Sequence, residues 1–229
     1  MNETKICLFT KTNVYCDIAV NFVKLFFPNH KIVKENLKDL NESIFSTKFD
    51  YIIAFLYHKL IPEAILKNAR IAAINFHPAP TDYPGGTYSH ALYNNNKFYG
   101  TTCHHMVKKA DAGKVIFEKK FPLYETDTFV SLKERTMIYT LANFFELMHI
   151  ILEKKDLPES KEQWKRKPYL HKDFENQLLE LTLEMPTEEL DRKIRATSHP
   201  DYPGPFIEIN GKKYTLRAGK NLTPYEYGK

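Results

Sequence analysis

The chain has 229 residues, 43% hydrophobic and 27% charged, with 33 lysines and arginines against 28 aspartates and glutamates, a net charge of +5. A chain of this size buries about 70% of the surface it exposes when unfolded, so its core needs neither disulfides nor metal. The composition is that of a soluble globule and speaks against a disordered, collagenous or membrane-spanning protein.

The three cysteines, Cys7, Cys16 and Cys103, form no CxxC, which argues against a disulfide framework or a zinc site. The first apolar run, Ile6 to Phe9, is too short for a secretory signal. A cytoplasmic location is therefore expected.

Lys5 to Thr10 reads as a short buried strand, and Val14 to Phe27 as a helix with Val14, Ala19, Val20, Val23 and Phe26 at helical spacing. Lys31 to Val33 is a second strand, and Leu37 to Phe45 is weakly helical. Tyr51 to Leu56 is a third strand, followed by a helix that opens at Pro62 and runs to about Ala69. Ile71 to Phe76 is a fourth. Short apolar strands alternating with helical patterns predict an α/β fold, a doubly wound and mostly parallel sheet.

His77 to Tyr88 has three prolines and two glycines in twelve residues and is expected to be a loop. Straight after a parallel strand, such a loop lies at the carboxyl edge of the sheet, where these folds bind ligands. Thr101 to Val107 and Lys114 to Phe121 are strand-like. From Asp127 to about Lys155 a long helix is expected, with Val130, Ile138, Leu141, Phe145, Met148 and Leu152 on one face. Thr187 is expected to cap a short helix. Asn210-Gly211 between Phe206 to Ile209 and Lys212 to Leu216 signals a β-hairpin. The organisation expected is a catalytic domain over 1–157, a connection over 158–175 carrying the single Trp164 beside Lys165-Arg166-Lys167, and a small C-terminal subdomain with the hairpin over 176–229.

Asn75 and His77 are two apart at the end of the fourth strand, so both point the same way. By spacing alone they are equally a capping amide and a loop imidazole satisfied by backbone. Asp111, in Ala110-Asp111-Ala112-Gly113, is by itself more readily a turn aspartate bonding its own backbone. Together the three supply an acid/base, a carboxylate and an amide donor, enough for proton transfer and stabilisation of an oxyanion. Ser89 lacks the Gly-x-Ser-x-Gly elbow of the serine hydrolases. Of His104 and His105, which alternate in a strand, only one faces the core side.

Four blocks in order, Asn75-Phe76-His77-Pro78, Tyr83-Pro84-Gly85-Gly86, Gly100-Thr101-Thr102-Cys103-His104 and Asp111-Ala112-Gly113, resemble those of the 10-formyltetrahydrofolate-dependent formyltransferases. The resemblance covers about residues 1–155. The words from His77 to Asn94, with Pro203-Gly204 and the Asn210-Gly211 hairpin, are most similar to the N-formyltransferases of nucleotide-linked (dTDP-type) sugars. Thr10-Lys11-Thr12-Asn13 lacks the glycine-rich phosphate loop of the glycinamide ribonucleotide formyltransferases. The stretch after the connection is short for the C-terminal barrel of the methionyl-tRNA formyltransferases.

The resemblance implies catalytic roles for Asn75, His77 and Asp111. It implies a folate site at Phe55, Leu56, Tyr57, Leu60, Lys108 and Ala110. The acceptor site implied is Lys11, Tyr83, Gly85, Gly86, Tyr88 and Arg195, with the tyrosines offering flat faces and Lys11 and Arg195 meeting a diphosphate. It further implies 10-formyltetrahydrofolate as formyl donor, a nucleotide-linked amino sugar of surface polysaccharide (O-antigen) synthesis as acceptor, no metal, no nucleic acid, no membrane and a possible homodimer. His104 matches the family's strand histidine and is expected not to be catalytic. A glycinamide ribonucleotide or methionyl-tRNA formyltransferase, and a non-catalytic folate- or nucleotide-binding module, remain as alternatives.

Overall fold

The structure is a computed structural model that describes residues 3–35, 42–85, 88–169, 175–200 and 204–216. Its framework is a six-stranded sheet in the order β2-β1-β3-β4-β5-β6, formed by β1 (Ile6–Thr10), β2 (His30–Lys34), β3 (Phe49–Phe55), β4 (Ala69–His77), β5 (Phe98–His105) and β6 (Val115–Pro122). β1, β2, β3 and β4 are mutually parallel, whereas β5 runs antiparallel to β4. The expected mostly parallel α/β sheet is present.

The continuous apolar runs of β1 and β3 follow from cover on both faces. On one face, α1 (Val14–Phe26) and α4 (Phe129–Leu152) meet through Phe22 and Phe144, and Phe144 also packs against Phe55 and Phe76. On the other, Cys7, Phe9, Ile52 and Ala54 pack with Ile44 and with Ile65 of the short α2 (Glu63–Leu66). α1 starts at Val14 because the Asn13 side chain accepts the Cys16 amide, an N-cap bond.

Several expectations shift. α2 has only four residues, with Pro62 in extended backbone just before it. Of Leu37 to Phe45, residues 37–41 lie outside the described ones and Glu42–Phe45 forms a 3-10 turn. The inward face of the long helix matches the expected stripe only in part: Met148 is buried and Leu141, Phe145 and Leu152 are half-buried. Val130 and Ile138 of the expected stripe are exposed, at 37% and 57%, while Leu132, Thr136, Thr140, Asn143, Phe144, Leu147 and Met148 are buried. Buried threonines escaped a purely apolar pattern because their hydroxyls are satisfied locally. Thr140 Oγ1 donates to Thr136 O at 2.8 Å and meets Thr101 Oγ1 at 3.1 Å.

The chain divides into two compact units that interleave along the sequence: 1–85, 99–121 and 135–168 in one, and 86–98, 122–134 and 169–229 in the other. The first contains nearly all of the sheet. The second contains α3 (Tyr88–Tyr93), α5 (Thr187–Thr197) and a three-stranded sheet of β7 (Glu180–Leu181), β8 (Phe206–Ile209) and β9 (Lys212–Thr215). The hairpin is where the sequence put it. Asn210 and Gly211 both take positive φ, 51° and 74°, as a tight two-residue turn requires. Thr187 is not the cap of α5: Pro186 occupies that position without a side-chain bond. Among the described residues, no helix is long and apolar enough to cross a membrane.

Candidate active site

The site is built at the carboxyl edge of the sheet in the first unit, where β4 ends. Asn75 and His77 lie on one side of that strand, and the antiparallel register sets His104 of β5 directly opposite Asn75. The amide Nδ2 of Asn75 is 3.0 Å from Nε2 of His104. The other nitrogen of His104, Nδ1, is 2.9 Å from the carbonyl of His105. A neutral ring with its proton on Nδ1 donates there and leaves Nε2 to accept from the Asn75 amide.

Asp111 closes the cluster. It has φ 43°, in the left-handed region that aspartate and asparagine tolerate better than most residues. That turn directs its carboxylate to three partners. Oδ2 accepts the Gly85 amide at 2.8 Å and lies 3.5 Å from His77 Nδ1, and Oδ1 lies 3.4 Å from His104 Nε2. Burial opposes the charge on Asp111. The attraction of His77, the pull of His104 and the Gly85 amide outweigh that and bring its carboxyl down to about 2.

His77 is itself buried, and burial holds its imidazole below the ordinary 6.5, against the opposing pull of Asp111 and of Tyr83 O. Its Nε2 is 3.1 Å from that carbonyl. The ring thus sits between two acceptors, a carboxylate and a carbonyl, and a neutral imidazole can donate to only one of them. A second proton arriving on this ring finds an acceptor already in place.

The backbone around the site is tightly determined. A Cβ on Gly113 would fall 1.7 Å from the carbonyl oxygen of His105, so only glycine fits two residues past Asp111. The loop after His77 is pinned at Thr81, whose amide and hydroxyl both donate to Glu118 Oε1. It is pinned again at Ala79, whose carbonyl accepts Thr102 Oγ1 at 2.8 Å. Trp164 lies edge-on to His104, with ring centres 5.0 Å apart, and 5.8 Å from the ring of His77.

The catalytic trio expected from sequence is therefore brought together, with His104 as a fourth member. His104, expected not to be catalytic, contacts both Asn75 and Asp111 and so belongs to the same cluster. Its signal was the alternation that turned one of two adjacent histidines inward. What was missing was the register opposing it to Asn75. Trp164 had no signal beyond being the lone tryptophan of a polar connection.

The expected folate residues fare unevenly. Phe55 is fully buried in the core, and its carbonyl accepts Thr10 Oγ1 at 3.1 Å. Leu56 has φ 53°, which turns the chain sharply out of β3. Tyr57 packs its ring edge-on against Phe9, and its buried hydroxyl has no hydrogen-bond partner among the described residues. Leu60, Lys108 and Ala110 are exposed.

The expected acceptor residues are more strongly revised. Tyr83 is not an exposed flat face: its ring is buried against Tyr99 and its contribution to the site is the carbonyl that meets His77. Gly85 contributes its amide to Asp111, and Gly86 lies outside the described residues. Lys11 follows β1 at the same sheet edge and is partly exposed. Tyr88 and Arg195 belong to the second unit. Tyr88 packs edge-on against Phe129, and burial pushes its phenol up. Arg195 is not a free cation there. Its guanidinium donates to Glu125 O, Leu92 O and Asn95 Oδ1, tying α5 to the turn after α3.

Among the described residues no group of His, Cys, Asp and Glu is suited to hold a metal ion. A methionyl-tRNA formyltransferase of Lactobacillus gasseri is 28% identical over 177 residues, covering 76% of this chain and 54% of that protein. The chain thus spans about half the length of the curated relatives it matches. The fold is shared with a sugar N-formyltransferase from a Shewanella species, with a TM-score of 0.76, 19% identity, and cover of 96% of this chain and 99% of that one. It is also shared with an N-formyltransferase from Helicobacter canadensis in complex with folinic acid and dTDP-3-aminofucose, with a TM-score of 0.70, 15% identity, and cover of 92% and 86%. The formyl transferase family profile matches residues 18–141, which hold Asn75, His77, His104 and Asp111 at one sheet edge, and the chain belongs to that family.

Proposed function

We propose that the chain transfers a formyl group from 10-formyltetrahydrofolate to the primary amine of a nucleotide-linked deoxy amino sugar. The observation that carries the reading is the cluster of the buried His77 and His104 with the half-buried Asn75 and Asp111, which pairs an amide donor with a proton acceptor beside a carboxylate. The folate, when bound, brings the formyl carbon and leaves as its C–N10 bond breaks and N10 takes a proton.

The protein's part is positional and protonic. Nδ2 of Asn75 carries two hydrogens. One is directed at His104, and the other remains for the formyl oxygen as that oxygen gains charge. One such donor is worth about 2.7–4 kcal/mol in a water-poor site. His77 takes the proton that the amine must lose as its new C–N bond forms. Asp111, ionised over the working pH range, steadies the resulting imidazolium. The folate would lie along the loop after β3, where Leu56 and the exposed Leu60 offer apolar surface. Lys108 and Ala110 would border it.

The sugar acceptor is supported by the fold likeness to sugar N-formyltransferases over nearly the whole of both chains. A methionyl-tRNA acceptor is the second reading, favoured by the curated relatives in sequence. The test is mass spectrometry of a panel of nucleotide-linked amino sugars, with charged initiator methionyl-tRNA as a further member, after incubation with the protein and 10-formyltetrahydrofolate. A gain of one formyl group on a sugar member is expected. Formylation of the methionyl-tRNA alone would move the assignment to the second reading, and formylation of nothing would leave a folate-binding module.

A further inference from the structure

Residues 159–165 run as an irregular strap along the first unit, and their anchors converge on the active site. Lys114 pairs with Glu159 at 2.7 Å, and Ser160 N donates to Val115 O. Lys165 N donates to Thr81 O at 3.2 Å, while its ammonium meets both oxygens of Asp82 at 3.1 and 3.2 Å. Between these anchors the strap carries Trp164. Its Nε1 donates to the carbonyl of Gly113 at 2.8 Å, two residues past Asp111. Gly113 lies so close to β5 that an added Cβ would fall 1.7 Å from His105 O. The indole is therefore fixed at its polar end by the same turn that aims the carboxylate. Its ring makes T-shaped contacts with both active-site imidazoles, at 88° to His104 and 67° to His77.

We propose that Trp164 is a positioning residue: its indole walls His77 and His104 off from water and keeps the neutral ring of His77 set against Asp111. An imidazole whose surroundings cannot hydrate the charged form gives up its proton more readily, and an aromatic edge supplies that lack of hydration without competing for either ring nitrogen. The lowering of His77 by burial agrees with this.

The charged and titratable groups that face the pair are Asp111 from the turn after β5, each imidazole upon the other, and His105 beside His104. On the strap side stand the Lys114–Glu159 and Lys165–Asp82 pairs. Both pairs are internally neutralised, so removing the indole changes hydration more than net charge.

The catalytic consequence rests on the formyl-transfer reading, but the wall can be read without any substrate. Trp164 is the chain's single tryptophan, so tryptophan emission belongs to it alone. A protonated imidazole in contact quenches an indole. Emission of the wild-type protein should therefore fall as pH drops from 8 to 4.5, and His77→Asn or His104→Asn should remove or displace part of that fall. In ¹⁵N-histidine NMR titrations, Trp164→Ala should move the His77 midpoint upward, toward 6.5, by about half a pH unit or more. Trp164→Phe, which keeps an apolar edge, should move it less. The acid limb of kcat/KM should shift the same way, and kcat should fall about tenfold in Trp164→Ala through loss of alignment.

An emission profile that is flat with pH, or unchanged in both histidine variants, would overturn the proposal. So would a His77 midpoint unmoved in a folded Trp164→Ala. If that variant does not fold, the wild-type emission and the Trp164→Phe titration decide. A chain that formylates no panel member yet shows the NMR and emission shifts would sink the formyl-transfer reading while supporting the wall.

Discussion

The two ends of the central sheet both carry ionised side chains, yet they treat them differently. At the carboxyl end, Asp111 has a side chain only 10% exposed and shares its two oxygens among His77, His104 and the Gly85 amide. At the amino end, a cavity of about 530 Å³ is lined by Asp50, Arg70, Lys154, Lys155 and Asp156 among others. There Arg70 is 61% exposed and meets Asp50 at 3.5 Å. The chemistry of the groups is similar; access to water differs. Where water competes, a pair contributes little and its geometry is loose. Where water is excluded, the protein's own donors and acceptors decide where each proton sits, and the group becomes usable for catalysis.

The comparison is broken first at the carboxyl end. Asp111→Asn should lower turnover at least about a hundredfold, because it removes the charge that steadies an imidazolium on His77. Steady-state kinetics on the formylated panel member would check it, and near-wild-type turnover would end the proposed role. Asn75→Ala should cost a similar or slightly smaller factor, the loss of one donor to the developing charge.

Gly113→Ala acts on the scaffold. Its methyl would overlap His105 O, so either β5 or the Asp111 turn must shift. A loss of about 1–3 kcal/mol in denaturant unfolding, together with reduced activity, is expected. Full stability with full activity would mean that the close approach is not maintained in solution.

Acid sharpens the contrast. His77 is held below 6.5, so kcat/KM should stay level as pH falls through 6.5 and decline only further down. The sign for stability is fixed by the same shifts. The contribution of a neutral buried His77 is complete above about 6.5 and is lost as pH falls below it. That of Asp111 is complete above its ordinary 3.8 and is lost toward 2. A pH series of unfolding curves, compared with His77→Asn, would check both. The smallest effect is expected at the amino end: Arg70→Ala should change stability by less than about 1 kcal/mol and leave kcat/KM unchanged. A larger loss would show that this exposed pair is more than a solvated contact.

Much of this was legible in the sequence, for reasons that are themselves physical. Strands covered on both faces are nearly uninterrupted apolar runs, so β1, β3 and β4 stood out. Asn75 and His77 share a face by a rule of strand geometry that needs no partner. Asn210-Gly211 announces its turn because few other residues tolerate two positive φ angles in a row.

What stayed hidden depends on contacts distant in sequence. His104 becomes a site residue only once antiparallel register sets it against Asn75, 29 residues earlier. Trp164 reaches Gly113 across 51 residues through an irregular strap that no periodicity marks. Arg195 looked like a cation waiting for a phosphate, but its donors are occupied by backbone carbonyls and an amide that only the folded second unit gathers. Part of the inward face of α4 was misjudged because threonine reads as polar until its hydroxyl is seen bonded within its own helix.

The left-handed backbone of Asp111 decides how this active site should be dissected. Most side chains would make that φ of 43° unfavourable, so replacement by alanine removes a carboxylate and strains a turn in the same stroke. The same turn carries Gly113, on whose carbonyl Trp164 hangs, so the disturbance would spread to both imidazoles. An alanine scan would thus credit the carboxylate with losses that belong to the backbone. Asparagine is at home in the left-handed region and nearly isosteric, so Asp111→Asn spares the turn and reports the loss of the charge and of one acceptor oxygen. The difference between the asparagine and alanine variants then measures the conformational share, a separation that the other members of the cluster, set in ordinary strand backbone, do not permit.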